Sequence, residues 1–165
     1  MFVLLFVVVL NGAVSFLLWR LDRFVNGDLY GYGLVFSREW ADGYWYSIRM
    51  LWTFLVLAVS FAAASIVPHY LHSRAPSRLS KVEGFFLPAV AFVFQAVGIF
   101  FLSQVNSIVW STLYPYGVRY DIVWATTYNP ISMPALALMV IGLLALIIPA
   151  VRALGIIEIG IVLEE

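Results

Sequence analysis

The chain contains no cysteine, which removes disulfides, thiolate metal sites, iron–sulfur ligation and thiol–disulfide exchange from the chemistry open to it. Charge is scarce as well. Only 11% of the 165 residues are charged, against about a quarter in soluble domains. Nine basic residues balance nine acidic ones, so there is no electrostatic footprint for nucleic acid and no long-range field to steer an ionic substrate. No Asp, Glu, Lys or His falls deep inside a long apolar run, and the proton relays and buried counter-ions of intramembrane pumps are therefore not expected. A glycine-rich phosphate loop ending in Lys and Ser or Thr is missing, as is a His-Glu-x-x-His zinc motif.

What remains is apolar. Hydrophobic residues make up 64% of the chain and the mean hydropathy is +0.99, more apolar surface than a soluble fold can hide. The apolar residues fall into four runs, about 2–19, 50–67, 85–109 and 132–154. The first has a passable small-residue cleavage site at Ala13-Val14-Ser15 but no basic leader. It continues to Trp19, about 27 Å at 1.5 Å per residue, and reads as a retained span. The expected fold is an all-α membrane protein, one transmembrane domain over residues 1–165. Four transmembrane helices form a bundle, with short interfacial helices in two aromatic loops.

Those loops are the most distinctive stretches. Ser37 to Trp52 sets Trp40, Tyr44, Trp45, Tyr46 and Trp52 beside four charges, and Trp110 to Tyr128 gathers Trp110, Tyr114, Tyr116, Tyr120, Trp124 and Tyr128 around Arg119 and Asp121. Rings with one polar edge concentrate where hydrocarbon meets water. An ordinary aromatic belt accounts for much of this. The excess of rings within the loops favours a docking role for Trp40, Tyr44, Trp45, Trp110, Tyr116, Tyr120 and Trp124. An even number of spans separates the two loops, so they share one side of the membrane, where they are expected to touch each other or a common partner.

Between them, His69 to Glu83 is the most basic interval. Pro68 is expected to close the second span and Pro76 with three serines to make a loop. Its compact Arg74, Arg78 and Lys81 place it, with both termini, in the cytoplasm, facing anionic lipid headgroups. His69 and His72 have i, i+3 spacing suited to one metal ion, but no third ligand is evident, and neighbours cannot reach both faces of a haem. Interfacial histidines are the preferred reading. NGDLYGYG, from Asn26 to Gly33, reads as a loop, and the apolar tail from Gly155 as an ordered segment packed on protein.

Polar residues within the spans are few. Asn11 shares a face with Ser15, and Ala91, Gln95, Gly98, Leu102 and Asn106 form a stripe on the third span. Ala58, Ala62 and Ser65 form a small-residue stripe on the second, a face suited to close helix packing. Asn11, Gln95 and Asn106 together offer an intramembrane polar face for a quinone carbonyl, a sterol hydroxyl or a solute. Hydrogen bonding between helices is the plainer use, worth about 1 kcal/mol per amide.

These features point to a non-catalytic membrane subunit packed against larger partners in a membrane complex, of a respiratory or energy-converting kind. Self-association, a small oligomeric channel or carrier, and a haem- or quinone-binding redox subunit remain as alternatives. No cofactor is expected on the leading reading, and no nucleic-acid partner.

Overall fold

The structure, a computed structural model, describes residues 2–29, 38–74, 81–113, 122 and 124–153. It is entirely helical among those residues. Helix α1 is Phe2–Arg23, continued by a π-helical turn Phe24–Leu29; α2 is Arg38–Arg74; α3 is Lys81–Leu113. A second π-helical turn, Trp124–Tyr128, leads into α4, Asn129–Ala153. Each helix contains a stretch long and apolar enough to cross a membrane: Phe2–Gly27, Asp42–Pro68, Phe85–Ser111 and Trp124–Val151. The chain is an integral membrane protein with four such helices.

The helices extend past the apolar runs. The expected interfacial helix after Ser37 is the first part of α2 rather than a separate element, and α2 passes through Pro68 to Arg74 instead of stopping there. Likewise Pro88 lies inside α3, which starts at Lys81, and Pro149 lies inside α4. A proline forfeits one backbone bond, whereas a helix end leaves four carbonyls without intrahelical partners, so in lipid running on is the lesser cost. The loop expected from Asn26 also begins as helix. Asn26 donates through Nδ2 to the Asp22 backbone carbonyl at 3.0 Å and to its carboxylate at 2.9 Å, which ties the π turn to the helix before it. Tyr30–Ser37 and the tail from Gly155 lie outside the described residues.

The four helices close a ring in which α2 packs along α3, α3 against α4, α4 along α1, and α1 more lightly against α2. The buried positions explain this arrangement. They are 4, 7, 11, 14, 18 and 21 on α1, then 44, 47, 48, 51, 55, 58, 62 and 65 on α2. On α3 they are 88, 91, 95, 98, 102, 105 and 109, and on α4 131, 132, 135, 139, 142, 146 and 149. With the neighbours 47 and 131 set aside, alternating steps of three and four give a period of about 3.5, the seam of a left-handed bundle. The anticipated small-residue stripe Ala58, Ala62 and Ser65 is buried, as are Ala91, Gln95 and Leu102.

Two apolar clusters fill the interior. The larger holds Val14, Leu18, Leu21, Tyr44, Leu51, Leu55, Leu102, Tyr128 and Met139 among others; the smaller holds Leu4, Val7, Ala62, Ala91 and Leu146. Between them in the seam stand Asn11, Ala58, Gln95 and Gly142, all buried. The core is apolar at both ends and amide-bearing in between.

Candidate functional site

The amide layer is built from three helices. Seam geometry turns Asn11 of α1 and Gln95 of α3 inward, and Gly142 of α4 leaves the room they occupy. A Cβ on Gly142 would stand 3.4 Å from Gln95 Nε2 and 3.9 Å from Asn11 Nδ2, so both amides border the same notch. Gln95 Nε2 donates to the Met139 carbonyl of α4 at 3.2 Å, and Asn11 Nδ2 to the Val7 carbonyl one turn back at 2.9 Å. Ser15 closes the local set by donating to the Asn11 backbone carbonyl at 2.8 Å.

Backbone carbonyls can only accept, so each amide must turn its nitrogen toward the carbonyl it meets and its oxygen away. Asn11 Oδ1 and Gln95 Oε1 are consequently buried without a hydrogen-bond donor among the described residues. The chemistry this layer lacks is a donor. A quinone carbonyl, itself an acceptor, brings nothing these oxygens need.

Asn106 does not join the other two amides. It lies three turns from Gln95, about 16 Å along the axis at 1.5 Å per residue, with fully buried Leu102 between them. There it accepts the Tyr128 hydroxyl at 2.8 Å. The amide stripe read from the sequence thus divides into a deep pair and a separate tie near the helix ends.

That end carries a second polar tie. Tyr44, named with the docking rings, is fully buried and donates its hydroxyl to the Asp22 carboxylate at 3.0 Å. Tyr44 and Tyr128 belong to one apolar cluster, so each aromatic interval sends one ring into the same core. Neither Asp22 nor Tyr128 stood out in the sequence as a bonding residue. An i, i+4 pair of Asp22 and Asn26 was the available signal, obscured by a stretch that reads as a turn.

From Tyr128 the rings lead outward. Trp124 stacks on Tyr128 with centroids 4.5 Å apart, and Trp110 meets Trp124 edge-on at 5.0 Å. Trp110 is 39% exposed. Trp45 is 41% exposed on the outer face of α2, beside Tyr44 at 5.8 Å. The side chains of Trp40, His69, His72, Arg74 and Lys81, and residues Arg78, Tyr116 and Tyr120, lie outside the described part of the structure. Among the described residues no three of His, Cys, Asp and Glu gather as a metal site would require.

No protein-family model, curated protein or solved structure matches the chain.

Proposed function

We propose that the chain is a non-catalytic integral membrane subunit that docks larger membrane partners through the aromatic end of its bundle, with both termini cytoplasmic. The observation that supports this is the ring stack Trp110–Trp124–Tyr128, exposed at one end and anchored at the other by the Tyr128–Asn106 bond. Interface energy concentrates in Trp and Tyr anchors, and rings already fixed before binding lose little freedom when a partner arrives. An energy-converting complex is the kind of assembly such a small, chemically plain subunit suits. The carrier alternative has less behind it, because Leu102 interrupts the amides along α3.

The test is photo-crosslinking in the native membrane. A photoreactive residue replaces exposed Ser111, next to the stack, or lipid-facing Val56 as a control. One discrete protein adduct from position 111, absent from position 56 and lost with Trp124→Ala, is the expected result. Lipid adducts alone at both positions would remove the docking reading.

A further inference from the structure

The amide layer sets a height from which the rest of the bundle can be measured. Asn11 and Gln95 border one notch, and α1 and α3 run the same way, so Arg20 and Gln104, each nine residues further on, stand level. Across from α3, a Cβ on Gly43 of α2 would lie 3.8 Å from Ile108, and Tyr46 meets Phe101 edge-on at 6.1 Å. A ring ladder continues downward from there, with Phe101 stacked on Phe54 at 5.7 Å and Phe94 and Phe61 following. This antiparallel register puts Arg49 within one turn of the same height. Arg20, Arg49 and Gln104 are all exposed, and they draw one polar line around three helices.

From that line to the far ends of the spans, at Phe2, Pro68 and Phe85, is about 27–29 Å at 1.5 Å per residue, against roughly 30 Å for a hydrocarbon core. Within this depth no exposed residue among those described is charged, and Thr53, Ser60 and Ser103 carry the only exposed hydroxyls. Above the line the pattern inverts. Arg23, Asn26, Asp42, Ser107, Ser111 and Thr126 are exposed, while Leu21, Val25, Tyr44, Val105 and Val109 are buried. That is the one-sided apolar stripe of helices in water.

The spans are 26–28 residues long, about 39–42 Å, and tilt is one way to absorb the excess over the core. Tilt would leave Arg20 and Arg49 in hydrocarbon, where charges are costly. The surplus therefore stands above it. Trp110 lies six residues past Gln104, about 9 Å higher, whereas the headgroup layer adds about 5–8 Å to each side of the core. Rings of an ordinary belt stay within that layer. Trp110 clears it.

We propose that this end of the bundle is a crown standing in water, and that the partner docked at Trp110 brings an extramembrane segment to it and not a transmembrane helix. The partner rests on the docking reading above, whereas the height of the crown stands without it. Ser107 and Ser111 are exposed beside Trp110 on α3, hydroxyls that make a hydrogen-bonding rim next to a ring anchor. A segment that fits offers an apolar side chain flanked by polar groups. The lipid-adapted face of a transmembrane helix has nothing for that rim.

Because the chain lacks cysteine, single cysteines report depth one at a time. Gly27→Cys and Ser111→Cys lie above the line, Gly12→Cys and Val93→Cys below it; all four positions are exposed, and a Cβ on either glycine meets nothing within 4 Å. Each full-length variant is purified, reconstituted into liposomes opened by freeze–thaw, and treated with a charged maleimide. A thiol in hydrocarbon stays protonated and beyond the reagent, so the upper pair should react at least about tenfold faster than the lower pair. In native membranes, with the partner present, Ser111→Cys should lose most of that rate while Gly27→Cys keeps it, and the adduct trapped from position 111 should map outside the partner's spans. An upper pair as slow as the lower overturns the crown, whatever the docking result. A fast upper pair with an adduct inside a partner's transmembrane helix overturns the kind of partner and leaves docking intact. A fast upper pair with neither protection nor adduct removes the docking reading, and the proposed partner with it.

Discussion

Replacing Gln95 with Leu should stabilise this protein. Gln95 is fully buried and makes one interhelical bond, from Nε2 to the Met139 carbonyl at 3.2 Å. Bonds of this kind contribute about 0.6 kcal/mol on average within membranes. The Met139 carbonyl loses little, because the N–H four residues on in α4 is its ordinary partner. Against that small loss stands the Oε1 atom, buried without a donor, whose desolvation costs about 1–3 kcal/mol. Leu has a similar shape, so no large cavity opens, and the net change should be a gain of about 0.5–2 kcal/mol. Gln95→Ala removes the same oxygen but leaves a void, and should lose about 2–4 kcal/mol by comparison with other large-to-small core changes. Equilibrium unfolding in bicelles, followed by helix signal and by steric trapping, measures both. A folded Gln95→Leu variant that is less stable than the parent by more than about 1 kcal/mol would refute the reasoning, because it would mean that Oε1 is satisfied in the native membrane.

Two smaller changes test the ends of the bundle and its closest helix contact. Tyr44→Phe removes the donor to the Asp22 carboxylate. Asp22 keeps Asn26 as a partner and is only half-buried, so the loss should be about 1–2 kcal/mol, read by the same unfolding assay. Gly98→Ala would set a Cβ 3.0 Å from the Met139 Cε atom. A flexible thioether end can withdraw, so less than about 1 kcal/mol should be lost, while Gly98→Leu also meets Leu51 and should cost about 3 kcal/mol or more.

The interior of this bundle was only partly visible in its sequence, and lipid is the reason. In water the apolar stripe of a helix marks its buried face, but here residues facing lipid are as apolar as those facing protein. Exposed Phe6, Val9, Phe16 and Val56 look no different from buried Leu4, Val7, Leu18 and Leu55. Only residues costly or pointless to show to lipid betray the inner face. That is why Ala58, Ala62 and Ser65, and likewise Ala91, Gln95 and Gly98, could be placed, while the seams of α1 and α4 were not discernible apart from Asn11. The helix ends were misjudged for a related reason. Pro68 and the NGD turn signal carry stop information calibrated on soluble chains, where water satisfies the released backbone. The meeting of Tyr44 with Asp22, and of Tyr128 with Asn106, spans 22 residues in each case and depends on the height of one helix against another, which local spacing does not encode.

That height has to be fixed by something, and the amide layer is the feature best placed to fix it. On the lipid-facing side α2 and α3 are locked to each other by the ring ladder from Tyr46 to Phe61. Helices α1 and α4 have no comparable ladder among the described ring contacts. Their seams are aliphatic, and an aliphatic seam with a regular 3.5 period tolerates a slide of one heptad. Such a slide of α4 would bring Ala135 or Pro149 to the level of Gln95 and Asn11 in place of Gly142, setting a side chain where the two amides now need open space. It would also detach Trp124 and Tyr128 from Trp110 and Asn106. A buried polar residue at a seam position is known to fix register at some cost in stability. The two amide oxygens without a donor among the described residues are that cost here, and the aligned aromatic end, with its outward Trp110, is what the fixed register supports.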